Sequence, residues 1–160
     1  MKNAVQFAVV AAFLLPSQLA HAQSWRELND DLLSFSFKAP TTSRVQRSDH
    51  ERKRSYYSTD DARPVLSLDI DYLGSDQSWA LPPKDMYKKM LEAEQEDSAV
   101  SISDVMEFTF RGYPAIRYKK SIGGAADHEY FLVRRGNQLF TLFTSDSTIA
   151  DRFFDSLTFQ

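Results

Sequence analysis

The sequence contains no cysteine. Disulfides, thiol nucleophiles, thiol exchange and Cys-based zinc sites are therefore excluded, and the fold must be held by packing. Glycine is scarce: there are five, none in a Gly-x-Gly-x-x-Gly or P-loop arrangement. No backbone cradle for a nucleotide phosphate is present, and no cofactor is called for. A Gly-x-Ser-x-Gly elbow is missing, and no Ser and His stand in a pairing that sequence alone supports. Excess positive charge is absent too. The net charge of −3 at pH 7 lacks the basic footprint of a nucleic-acid binder.

Long apolar runs are also lacking. The stretch Phe7 to Leu15, "FAVVAAFLL", has nine residues, where a bilayer-spanning helix needs about 20. Its setting explains it. Lys2 precedes it, Pro16 ends it, and Ala20-His21-Ala22 has the small-x-small form that signal peptidase cuts. Residues 1–22 read as a cleaved signal peptide, with Gln23 as the mature N-terminus. A single Lys without an Arg pair indicates the general secretory route, and without Cys there is no lipobox for an acyl anchor. The expected location is periplasmic or secreted, with no membrane anchor after cleavage. Removing residues 1–22 from 160 leaves 138, and the loss of Lys2 moves the net charge to −4. That is one domain, residues 23–160, long enough to bury roughly two-thirds of its surface without disulfides.

What the mature chain does have is a period of two. "LSFSFKAP" sets Leu33, Phe35 and Phe37 against Ser34, Ser36 and Lys38, and "VLSLDIDYL" sets Leu66, Leu68, Ile70 and Tyr72 against Ser67, Asp69 and Asp71. Both predict strands with one wet face. "YFLVRR" and "QLFTLF" are apolar in both phases and need cover on both sides. Two helices are expected to supply it. One starts at Pro82-Pro83, with a stripe of Met86, Tyr87, Met90 and Leu91 and an Asp85–Lys89 ion pair. The other starts at Ser147 as N-cap, stacking Ile149, Ala150, Phe153, Phe154 and Leu157. Breaks at Arg111-Gly112-Tyr113-Pro114, at Ser121 to Asp127 and at Gly136-Asn137 divide the later strands into successive hairpins. The fold class is α+β, an antiparallel meander with a helix after the early strands and a short C-terminal helix. Arg134 and Arg135 then sit at a strand end, with their stems on apolar surface and their heads in water.

"SWRELNDDLLSFSFKAP", "RGYPAIRY", "EYFLVRRGNQLFTLF" and "RFFDSLTF" resemble a family of small exported bacterial proteins of unassigned function with a PsbP-like α/β architecture. Trp25, Phe35, Phe37, Pro40, Gly112, Tyr130, Gly136, Phe154, Ser156 and Phe159 carry the resemblance across nearly the whole mature chain. Most serve packing and turns, so the resemblance implies a fold and transfers no catalytic residue. It also implies a strand at Trp25 to Leu28, turning at Asn29-Asp30-Asp31, although Ser24-Trp25-Arg26-Glu27 has the form of a helical capping box.

Candidate chemistry is sparse. His50 and His128 each lie within an Asp-His-Glu tripeptide, which could form a metal site if the two converged. Seventy-eight positions separate them, and solvated loop residues are the plainer reading. Asp69 and Asp71 share a strand face and could hold a cation, but a wet face explains them; Asp60-Asp61 reads as a turn. In "RVQRSDHERKRSYY" the residues Arg52, Lys53 and Arg54 could meet an anionic partner, against the alternative of a solvated hairpin. Trp79, in the loop before the first helix, is a second candidate contact. The sequence thus reads as a non-catalytic binding or accessory module of the cell envelope, facing an envelope protein or other anionic partner. A small-ligand or metal-binding protein is the alternative.

Overall fold

Alternating side chains at Phe35, Phe37, Leu66, Leu68 and Ile70 become strands because one face of each has somewhere dry to go. In a computed structural model describing residues 24–58, 65–74 and 81–160, the described chain forms β1 (Trp25–Asp30), β2 (Phe35–Pro40), β3 (Val45–His50), β4 (Lys53–Ser58), β5 (Leu66–Tyr72), α1 (Pro83–Gln95), β6 (Val100–Phe110), β7 (Tyr113–Ile122), β8 (His128–Arg135), β9 (Gln138–Thr144), α2 (Ser147–Asp155) and β10 (Thr158–Phe159). Ala20, Ala22, Gln23, Asp60-Asp61 and Trp79 lie outside the described residues.

The strands make two antiparallel sheets, ordered β1-β2-β10 and β3-β4-β5-β9-β8-β7-β6. This is the α+β class, with three consecutive hairpins from β6 to β9. The large sheet is the central layer. One face packs Leu68, Ile70, Phe131, Phe140 and Leu142 against Phe35 and Phe37 of the small sheet and Phe153 and Phe154 of α2. The other packs Ile116, Tyr118, Leu132 and Leu139 against Met86 and Tyr87 of α1. The two-sided cover expected for β8 and β9 is therefore present, but on the first face the small sheet shares it with a helix.

Local details correct several expectations. The strand at Trp25 runs on through Asp30, whose carboxylate accepts the Leu33 amide at 3.1 Å and shapes the turn. Ser36 is buried, not wet, because β10 pairs beside it and Thr158 bonds its hydroxyl at 2.6 Å. The cap of α2 is Asp146, which accepts the Thr148 amide at 2.8 Å. On α1 the i,i+4 pair is Lys88–Glu92 at 3.9 Å, where Asp85–Lys89 was expected.

Candidate interaction surface

The β3–β4 hairpin carries the basic cluster, and the alternation of a strand divides it. Lys53 and Arg54 point to opposite faces of β4. Arg54 turns inward between the two sheets, its side chain 10% exposed, with Nη1 2.5 Å from Asp30 Oδ2 and Nε 2.7 Å from Asp49 Oδ1. Tyr56, on the same face, donates its hydroxyl to the same Asp30 oxygen. Burial alone would raise the Asp30 carboxyl, but the hydrogen bonds from Tyr56, Arg54 and the Leu33 amide outweigh it and hold the group below the ordinary carboxylate range. Burial and that carboxylate together push the Tyr56 phenol up. Arg54, expected on a partner-facing surface, is instead a bolt between β1 of the small sheet and β3 and β4 of the large one.

Lys53 takes the other face, with Nζ 2.9 Å from Asp69 Oδ2. Asp71 lies on that face too. Burial raises its carboxyl, against the pull of Lys53 and with the neighbouring Asp69 adding to the rise. Arg52 occupies the hairpin turn and is exposed. Two clefts adjoin this end of the sheet. One, of about 290 Å³, is lined by Asp49, His50, Lys53 and Tyr72 among others. The other, of about 380 Å³, is lined by Arg52, Asp71, Tyr72, Met90 and Thr141 among others. Tyr72 lines both.

The two histidines are far apart. His50 ends β3 at the level of Lys53, Asp71 and Leu139, whereas His128 begins β8 at the opposite end of the sheet. Strand spacing places them roughly 19 Å apart across the sheet and about 20 Å along it. Among the described residues, no group of three or more His, Asp or Glu side chains is placed to share a metal ion.

Gly136, at φ +60°, makes the Gly136-Asn137 turn, and the arginines beside it do not reach into water as expected. Arg135 donates to the carbonyls of Leu33 and Ser34 at 2.5 and 3.0 Å and lies over the Phe140 and Phe159 rings. Arg134 donates to the Leu81 carbonyl at 2.6 Å. Both tie the hairpin to neighbouring segments. One surface feature escaped the sequence reading: Val105, Met106 and Phe108 of β6 are 47%, 53% and 41% exposed. An alternating strand at a sheet edge and one inside a sheet look alike in one sequence, because the missing neighbour is a property of topology.

No family model matches the sequence, and no curated protein sequence does. Among solved structures, the chain is similar to the cyanobacterial PsbP (CyanoP) of Synechocystis sp. PCC 6803, at 13% identity and a TM-score of 0.58, over 92% of this chain and 99% of that one. At that identity the likeness establishes a PsbP-like fold. A structure from Bacteroides thetaiotaomicron is similar at 15% identity and a TM-score of 0.43, over 84% of this chain and 48% of that one. Among the described residues no helix is long and apolar enough to cross a membrane.

Proposed function

We propose that this chain is an exported, non-catalytic accessory module of the bacterial cell envelope, cut after Ala22, which contacts an acidic face of another envelope protein through the sheet end around Arg52 and Lys53. The observation that carries the reading is an exposed arginine at a hairpin tip with two clefts beside it, each lined in part by Tyr72. Their walls carry both signs of charge, which suits a complementary protein surface. Arg54 and Arg135 are bonded within the fold; among the described residues Arg52 is exposed at the hairpin tip and Lys53 is half-exposed beside its partner Asp69. Trp79 belongs to the segment entering α1 and extends the same proposal.

The small-ligand alternative has one observation in its favour, a separate cleft of about 440 Å³ lined by residues including Met106, Arg117, Lys119 and Glu129. Its charged side chains are already matched, Arg117 to Glu129 and Lys119 to Asp104, and a ligand would have to displace those pairs. Cross-linking capture from envelope extract, read by mass spectrometry, tests the main reading. A partner recovered with the parent at low salt should be depleted several-fold with Arg52→Ser/Lys53→Ser or at high salt, since exposed charges are screened over about 10 Å at 0.1 M. Equal recovery with parent and variant would remove the hairpin end from the proposal.

A further inference from the structure

The seven-stranded sheet has two edges, and they are protected differently. At β3 the edge presents Gln46, Arg47, Ser48 and Asp49, the polar and charged side chains that discourage strand addition. At β6 the run Val100–Phe110 contains no Lys, Arg or Pro and exposes Val105, Met106 and Phe108. Its first half is interrupted by a bulge between Ser103 and Met106, where Asp104 has φ 53°. Its second half, Met106 to Phe110, is regular.

The hairpin geometry says which backbone groups are open. Arg111 and Gly112 have φ 49° and 85° and form a two-residue turn, so Phe110 and Tyr113 are its hydrogen-bonded closing pair. Alternation then turns the N–H and C=O of Phe110, Phe108 and Met106 toward β7, and those of Thr109 and Glu107 outward. Pro114 faces Thr109, a position where no N–H is required of it, which agrees with that phase.

We infer that the second half of β6 pairs antiparallel with the same segment of a second copy, in a two-fold register centred on Phe108. Three registers join outward groups to outward groups. Centring on Glu107 opposes two like charges and draws in the bulge. Centring on Thr109 leaves only three facing pairs before the turn. Centring on Phe108 gives five, with Glu107 opposite Thr109 of the other copy and both backbone pairs satisfied. Facing residues share a sheet face, so Met106 meets Phe110 of the other copy and Phe108 meets its own counterpart. These extend the apolar layer in which Phe108 and Phe110 already pack on Phe131, with ring centroids at 5.7 and 5.0 Å. A five-pair ladder falls below the roughly 1,200 Å² of standard interfaces, so the dimer is reversible and concentration-dependent. The two hairpin tips at Arg52 remain free, since β3 is the far edge.

The absence of cysteine makes the register testable. In Phe108→Cys the two thiols lie in a non-hydrogen-bonded pair with Cα atoms about 4.5 Å apart, inside the disulfide range of about 4.4–6.8 Å. In Met106→Cys they are four residues out of register, roughly 13 Å apart along the strand. Under mild oxidation Phe108→Cys should form a covalent dimer at least tenfold faster than Met106→Cys. Sedimentation of the cysteine-free parent should show reversible dimerisation that Thr109→Pro abolishes with an unchanged circular dichroism spectrum, because the lost N–H points away from β7. Equal oxidation rates, or a parent that stays monomeric at millimolar concentration even if an unrelated extended peptide adds to β6, would overturn the inference.

Discussion

Replacing Arg54 with Met tests how the two sheets are joined. Met keeps the length of the side chain and removes its charge, leaving Asp30 with a side chain 2% exposed and no cation beside it. Breaking a buried pair from one side costs about 3–5 kcal/mol, since the remaining charge stays buried without compensation. That is a large part of the roughly 5–15 kcal/mol that holds a domain together. The pH dependence separates this loss from simple loss of packing. In the parent the Asp30 carboxyl is depressed, so its contribution is fully present above the unfolded value of about 3.9 and disappears as pH falls through the folded value. In Arg54→Met, burial acts against a weaker set of hydrogen bonds, the folded value rises, and the variant regains stability on protonation at a higher pH. The gap between parent and variant is therefore widest at pH 7 and smaller at pH 4. Urea midpoints and slopes at the two pH values measure it. A loss under 1 kcal/mol at pH 7, or a gap that does not change with pH, would refute the account of Arg54 as the link between Asp30, Asp49 and Tyr56.

Two further substitutions probe the layers on either side of the large sheet. Phe154→Ala removes a ring buried between α2 and Phe131 and should cost about 3–5 kcal/mol by urea unfolding; a cost below 1 kcal/mol would show that α2 does not close that layer. Asp71→Asn should raise the midpoint at pH 7, because burial holds the Asp71 carboxyl above its ordinary range and its ionised form works against folding. The advantage is absent below the unfolded value of about 3.9, where Asp71 is neutral in both states, and grows as pH rises through the folded value; a destabilised variant at pH 7 would show that attraction to Lys53 outweighs burial.

Much of the architecture was readable from apolar spacing, and the reasons are local. The Leu66, Leu68, Ile70 alternation, the two-phase apolar strands around Phe131 and Phe140, and the stripe from Ile149 to Leu157 each report one element and the number of its dry faces. The resemblance added the strand at Trp25, where a capping-box pattern pointed to a helix. Misreadings arose where a residue's surroundings come from distant sequence. Ser36 looks wet until β10 arrives 122 positions later. Arg54 looks like a surface cation until β1 brings Asp30 beneath it, and Arg135 looks like a snorkelling side chain until Ser34 presents its carbonyl. Charge patterning along a strand says that two neighbours face opposite ways, but not which way is in.

That ambiguity bears directly on the functional surfaces. Arg52, Lys53 and Arg54 are consecutive and chemically alike, yet one is at the turn, one is half-exposed beside Asp69 and one is enclosed. A substitution of all three would mix loss of a contact with loss of the sheet-to-sheet link, so weakened binding would say nothing about the surface. Arg52→Ser/Lys53→Ser leaves Arg54 in place and avoids the confusion. The same logic separates the two ends of the large sheet. Effects at the hairpin tip should leave oxidation of Phe108→Cys unchanged, and Thr109→Pro should leave each tip's contact intact while removing the second tip held by the dimer. If paired tips engage one partner assembly, breaking the β6 contact should weaken capture by more than the dimer's own stability accounts for, because linked sites bind with a raised effective concentration. Capture unaffected by Thr109→Pro would mean that each copy acts alone.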